Sequence, residues 1–345
     1  MKRQSLFFTR PNQVEILEET IPKPSKGKVL VRTLASAISA GSERLVYRGE
    51  FPAHTALDAA IPALNGTFAY PVKYGYSTVG DILAIGTGVD DLWQGREVFS
   101  FQPHQSHFLA ETSELFPLPP HMNIRDALFL PSMETAATLV MDGAPLLGER
   151  VVIFGQGIIG LLVTTLLKRL SLEKILTLEN SPRRRNMSQE LGADLTIDPK
   201  GWEAEAILSL LKGNSEYEGA DLTYELSGDP NALDLAVLLT GYHGRIVVGS
   251  WYGTKAVTAN LGDHFHRSRI RMISSQVSTI DPALRGRWTK DRMIRLVWRL
   301  LDEIAPSRFI SHTFAFEEAS KAFELLDKDV DSCLQVILTY ENHTR

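Results

Sequence analysis

Apolar positions fall into two textures along the chain. Up to about residue 120, short apolar or alternating runs at 14–17, 28–36, 78–85 and 96–101 predict strands. Pro22, Pro24, Gly27, Gly75, Gly86, Gly88 and Gly95 punctuate them, as turns require, so a small barrel or folded sheet is expected. The texture changes near Pro131 to alternating strand-length and helix-length segments, the pattern of a parallel sheet covered by helices. Residues 150–154 suit a central parallel strand, 158–170 a helix, 175–178 a second strand, and 183–191 a second helix closed by Gly192. A strand at 222–226 follows, then Asp229-Pro230 as N-cap and first helical position of a helix to about 239, then a buried strand at 245–248.

Beyond about 280 the pattern predicts a helix at 291–301, a strand at 309–314, a helix at 317–326 and a strand at 334–338. These elements are too few for a third domain. They are expected to return to the first, giving residues 1–130 and 280–345 as one domain and 131–279 as an insert. No fixed-period repeat or low-complexity tract interrupts this division.

The motif with chemical content opens the insert. Gly155-Gln156-Gly157-Ile158-Ile159-Gly160 follows a predicted strand and begins a predicted helix. Gly155 would make the tight turn, Gly157 let the backbone approach a diphosphate, and Gly160 let the helix pack on the sheet, with phosphates resting on the helix N-terminus. Glu179 ends the next strand, where a carboxylate can accept both ribose hydroxyls of an adenosine. Asn180, Arg184 and Ser227 complete the expected dinucleotide contacts. Glu179 favours NAD, while Arg183, Arg184 and Arg185 keep NADP as an open alternative.

Composition narrows the setting. With 345 residues, 44% of them hydrophobic, and a net charge of -5, the chain can bury two cores and is a poor general nucleic-acid binder. Its longest apolar stretch, 157–167, is too short to span a bilayer, and the first residues lack a signal-peptide core, so a cytoplasmic location without membrane partners is expected. Cys333 is the sole cysteine, which excludes internal disulfides and cysteine metal clusters. One stretch is basic: Arg267, Arg269, Arg271, Arg285, Arg287, Lys290, Arg292, Arg295 and Arg299 stand against Asp281 and Asp291. It reads as a solvated face, with an anion-binding lining as the alternative.

The strand-rich start, the inserted 155–160 unit, and the return carrying Phe316-Glu317-Glu318-Ala319 and Ala322-Phe323-Glu324-Leu325-Leu326 together resemble the medium-chain dehydrogenases/reductases. Ser36-Ala37-Ile38-Ser39-Ala40-Gly41-Ser42-Glu43, Val72-Lys73-Tyr74-Gly75-Tyr76, Met133-Glu134-Thr135-Ala136, Ser250-Trp251-Tyr252-Gly253 and Ser274-Ser275-Gln276 are similar to a zinc-type alcohol dehydrogenase subgroup. Bacteriochlorophyllide dehydrogenases are more distantly similar in the first of these. The resemblance implies an α/β architecture: a GroES-like β-rich catalytic domain plus a Rossmann doubly wound parallel-sheet domain. It also implies a homodimer, with 245–248 and the segment after it near a sheet extended across the dimer.

Zinc-dependent members place a Cys where this chain has Ser39, Gly-His-Glu where it has Gly75-Tyr76-Ser77, and a further Cys or Glu near 131–134. Hydroxyls are poor zinc ligands, so no metal is expected. The pairs His104/His107 and His264/His266 lack a convincing third ligand and are expected at the surface or behind the site. The resemblance puts Ser39, Tyr76 and Glu134 beside the nicotinamide, with Tyr76 as proton donor and Glu134 orienting or relaying; each has a structural alternative in backbone bonding or helix capping. The expected function is hydride transfer between nicotinamide and a carbonyl, alcohol or enone of a small molecule, an anionic one being an open alternative. A non-catalytic dinucleotide sensor of the same fold is the competing reading.

Overall fold

The computed structural model describes residues 1–212 and 218–340. Its contacts divide the chain into two compact units, Met1–Pro131 with Trp298–Arg345, and Ser132–Val297. The return to the first unit comes at Trp298, later than the expected 280. One continuous 15-residue helix, Lys290–Ile304, carries the chain through that point, so its apolar periodicity holds no mark of the crossing.

The first unit begins with β1 (Lys2–Arg10), β2 (Gln13–Thr20), β3 (Lys28–Ile38), β4 (Thr78–Ile85), β5 (Glu97–Ser100), β6 (His107–Glu111) and β7 (Phe116–Pro117). The second unit carries β8 (Arg150–Phe154), β9 (Lys174–Leu178), β10 (Leu195–Ile197), β11 (Ala220–Glu225), β12 (Thr240–Val248) and β13 (Arg271–Ser274). β14 (Ile310–Ala315) and β15 (Gln335–Thr339) belong to the first unit again.

In the first unit the order is β14-β15-β3-β4-β5-β7, with β6 also on β3 and a separate β1-β2 hairpin. β3 is central because its long, mostly apolar run is paired on both sides. Its register sets Ser36 opposite Leu338 of β15, which brings Tyr340 back beside a residue 304 positions earlier. The core gathers Leu6 and Phe8 of β1, Val46 and Tyr47 of the helix Ser42–Arg48, and Phe323 of the helix Ala319–Lys328. Phe323 meets Phe8 edge-on at 5.1 Å and stacks on Tyr47 at 5.7 Å, pairs worth about 0.5–1.5 kcal/mol each beyond their buried area.

In the second unit six parallel strands run β10-β9-β8-β11-β12-β13, the Rossmann doubly wound order. Every residue of β8 is buried, and its helix Ile158–Leu167 is apolar nearly all round because it is buried too. The direction of winding reverses between β8 and β11, where crevices for ligands form at the strand ends. β12 is flanked by β11 and β13, so residues 245–248 form the expected buried strand and the segment after it, β13, is the sheet edge. The helix before β12 starts at Ala232, and Asp229 accepts from Asn231 N at 3.0 Å: an Asx turn precedes the helix instead of the expected cap.

Candidate functional site

β8 ends at Phe154, and Gly155 turns with φ +84°. A Cβ there would lie 2.7 Å from Ser227 Cα and 2.8 Å from Leu226 O, so both the turn and the loop after β11 require glycine. At Gly160 a Cβ would come within 2.0 Å of Gly155 O, which is the close helix approach expected of the third glycine. Gly157 differs: φ is -67° and nothing lies within 4 Å of an added Cβ. The fold itself places no demand for glycine there. Open space in front of the helix N-cap, with no capping side chain, is the room a diphosphate would fill.

The other residues of this region have defined partners. Gln156 turns its side chain inward, donating to Gly155 O and accepting from Thr164 Oγ1 at 3.0 Å each, so only its backbone faces the turn. Glu179 is 8% exposed and accepts from Gln156 N at 2.7 Å and Ser181 N at 2.9 Å. Each carboxylate oxygen keeps a lone pair for a ribose hydroxyl. Ile158 and Ile159 are half-buried in the first helical turn, and Asn180 and Ser227 are exposed at the ends of β9 and β11. Arg184 is half-buried in the helix Pro182–Glu190, while Arg185 is spent on the carbonyls of Glu179 and Asn180 at 2.7 and 2.8 Å. Glu225 was not foreseen: fully buried, it accepts from Ser227 N at 2.8 Å and from the Tyr252 hydroxyl, fixing the loop against Gly155.

The first unit holds a second cluster. Tyr76 donates to Ser39 Oγ at 2.6 Å and lies 3.2 Å from Ser42 Oγ. Burial pushes the Tyr76 phenol pKa up, the two serine bonds lower it, and the Glu43 and Asp58 charges raise it; the net shift is upward. Behind this half-buried couple, Ser36, Glu43 and His104 are wholly buried. His104 Nε2 meets Glu43 Oε2 at 2.8 Å and its Nδ1 meets Ser36 Oγ at 2.7 Å. Of the two expected places for His104, the surface is excluded and the position behind the site is the observed one, because β3 and the helix Ser42–Arg48 close over its ring. His107 is separate, 3.1 Å from Ser106 Oγ, and His264 Nε2 bonds Thr240 O at 2.9 Å.

Glu134, in the helix Leu130–Gly143 of the second unit, pairs with Lys290 Nζ at 2.6 Å, and Lys290 also donates to Val277 O at 2.7 Å. Burial raises the Glu134 pKa and Lys290 lowers it, with a net rise. Sequence reasoning placed Lys290 in a basic stretch without seeing this partner. Others of that stretch are occupied too: Arg267 with Asp263 at 3.2 Å, Arg299 with Glu303 at 3.6 Å, and Arg292 over the Trp288 ring at 4.2 Å.

Comparison with known proteins fits this geometry. The zinc-binding dehydrogenase family model matches residues 159–298. The starvation-sensing protein RspB of Escherichia coli (strain K12) is 23% identical over 98% of this chain and 99% of its own length. The (R,R)-butanediol dehydrogenase of Bacillus subtilis (strain 168) is 27% identical over 69% of this chain and 74% of its own. Among solved structures, RspB of E. coli CFT073 complexed with NADH has a TM-score of 0.78 at 20% identity, covering 98% of this chain and 99% of that one. Residues 159–298 are thus similar to the zinc-binding dehydrogenases, and the whole chain shares the fold of the solved alcohol dehydrogenases. Its fold is accordingly the GroES-like and Rossmann pair expected.

The two groups that the resemblance implies, a dinucleotide and zinc, fare differently. The dinucleotide fits, because Gly157 leaves room and Glu179 retains acceptors. Zinc does not fit the donors present: Ser39 and Tyr76 bond one another, and both ring nitrogens of His104 are taken by Ser36 and Glu43. Among the described residues no group of three or more His, Cys, Asp or Glu could hold a metal ion, and no helix is long and apolar enough to cross a membrane.

Proposed function

We propose that this chain is an NAD-linked oxidoreductase that moves a hydride between nicotinamide and the carbonyl or alcohol carbon of a small molecule, without zinc. An enone substrate suits the same residues. The observation that carries the reading is the open space at Gly157 between two glycines the fold requires, with Glu179 bonded to the adjacent amide. The named relatives support the reaction class.

When bound, the nicotinamide supplies or accepts the hydride. The chain's residues do the rest. Helix-start amides past Gly157 would hold the diphosphate, and Glu179 the ribose hydroxyls, while its charge disfavours the extra phosphate of NADP. Gly155, Gln156, Ile158, Ile159 and Gly160 shape that cradle, with Asn180, Arg184 and Ser227 at its rim. Tyr76, kept protonated by burial, serves as acid: the carbonyl oxygen takes the Ser39 hydroxyl proton as Ser39 Oγ takes the phenol proton, and water reprotonates Tyr76. Glu134 acts through its pair with Lys290, a cation that can receive an anionic substrate group. A homodimer in the cytoplasm belongs to the same reading.

Calorimetry with NADH and NADPH, followed by hydride exchange across a panel of aldehydes, ketones and enones, tests it. Binding of NADH with turnover of at least one carbonyl is expected. No heat with either dinucleotide on folded protein would end the reading. The sensor alternative has one observation in its favour, the name of the relative RspB. It predicts binding without hydride exchange.

A further inference from the structure

Behind the Ser39–Tyr76 couple lies a polar chain that the proposed chemistry does not use. It runs from Tyr340 through Ser36 and His104 to Glu43, and Glu43 Oε1 accepts from Ser39 N at 2.8 Å. Its members come from β3, the helix Ser42–Arg48, the loop before β6 and the end of β15.

Hydrogen counting fixes its direction. A backbone N–H can only donate, so Glu43 Oε1 is an acceptor. Among the described residues the Tyr340 hydroxyl meets only Ser36 Oγ, at 2.9 Å, so the arrangement that pairs its hydrogen within them points it there. The Ser36 hydrogen is then free only for His104 Nδ1, which must carry none. The remaining imidazole hydrogen sits on Nε2 and points to Glu43 Oε2. An imidazolium, or a protonated Glu43, puts a hydrogen on Nδ1 facing Ser36 Oγ, and one of the Ser36 and Tyr340 hydrogens is then left without an acceptor among the described residues. A neutral Nε2–H histidine against an ionised Glu43 satisfies every group.

Both halves of the hydroxyl couple hang on this pair through their backbones. Ser39 is held by its amide to Glu43. Tyr76 follows Gly75, which lies against the imidazole: a Cβ on Gly75 would be 2.9 Å from both His104 Nε2 and Cδ2. Gly75 also has φ +118°, a conformation that suits glycine.

We propose that Glu43 and His104 are positioning residues for the Ser39–Tyr76 proton donor, wired in one direction as Tyr340 to Ser36 to His104 to Glu43, with His104 held as the neutral Nε2–H tautomer. The inference rests on the reductase reading for its purpose, but its test needs no substrate. The negative charge on Glu43 also adds to the proton affinity of Tyr76, which keeps the phenol an acid.

The full chain labelled with 15N-histidine and 13Cζ-tyrosine answers the question by magnetic resonance. Expected are a pyrrole-type Nε2 and pyridine-type Nδ1 for His104, assigned by His104→Gln. In Glu43→Gln the carboxamide can donate to Nε2, so the tautomer should swap. The Tyr76 signal, assigned by Tyr76→Phe, should move with it, and exchange of the Ser39 amide should accelerate by about tenfold or more as its charged acceptor is lost. An imidazolium or an Nδ1–H ring in the unsubstituted chain overturns the wiring, and that result stands even where Glu43→Gln does not fold. A swapped tautomer with unmoved Tyr76 and Ser39 signals overturns the positioning role. Tyr76→Phe turning over carbonyls at the original rate would instead remove the donor assignment, leaving the tautomer result intact.

Discussion

The proposed dinucleotide cradle of the second unit and the hydroxyl–imidazole cluster of the first are both compact polar sites, yet they are built in opposite ways. The cradle is mostly backbone, turned by Gly155 and Gly160 within six consecutive residues, and side chains matter chiefly by their absence. The cluster is made of side chains from Ser36, Glu43, His104 and Tyr340, and its longest link joins positions 304 apart. A backbone-built site should tolerate change in stability and lose ligand; a side-chain network in the core should lose stability first. Buried charge is what makes the difference, since an unpaired carboxylate in the interior has no water to replace its partner.

The largest expected effect tests the cluster. His104→Leu leaves Glu43 buried opposite an apolar group and should cost about 3–5 kcal/mol in urea unfolding. A loss under about 1 kcal/mol would show that the pair is not a structural element of this kind. Next comes Tyr76→Phe, which removes the phenol proton while keeping the ring. Turnover should fall on the order of 100-fold with NADH affinity unchanged, read by steady-state kinetics and calorimetry.

Gly157→Ala sharpens the comparison from the other side. The added methyl meets no protein atom, so thermal unfolding should stay within about 2 °C, yet NADH affinity should drop by about tenfold or more because the methyl occupies the diphosphate approach. Equal affinity would place the dinucleotide elsewhere. Glu179→Gln should erode the preference for NADH over NADPH several-fold in the same calorimetric titration, by roughly 1 kcal/mol, since only the charge changes.

The smallest effect lies on the β1–β2 hairpin. Burial raises the Glu19 pKa, but hydrogen bonds from Ser5 and Lys73 and the charges of Lys73 and Arg3 outweigh it, so the net shift is downward. A carboxyl whose folded pKa is depressed adds stability above its unfolded value of 4.5 and loses it as pH falls through the folded value. Lys73→Met should therefore flatten the acid limb of stability against pH below about 4.5, and an unchanged limb would assign that limb to other groups.

Much of the strand pattern was legible. The expected strands at 78–85 and 150–154 coincide with β4 and β8, because each is a short buried run bounded by turns. β1 was not foreseen: Leu6 and Phe8 are buried, but the polar Lys2, Arg3, Gln4 and Ser5 open it, so its alternation is weak. Helices at 42–48 and 130–143 escaped too, since Ser42–Arg48 is only seven residues and Leu130–Gly143 begins with a proline in its first turn.

What the sequence determined by itself was the glycine turn at 155–160, the carboxylate at Glu179 and the loss of thiol and imidazole at Ser39 and Tyr76, because each rests on residue type at a local spacing. Tertiary structure alone decided that His104 joins Glu43 in the core, that Lys290 finds Glu134, and that Tyr340 closes on Ser36. Those pairings depend on strand register and on which faces are buried, and a side chain's charge acquires its consequence only when the fold removes the water around it.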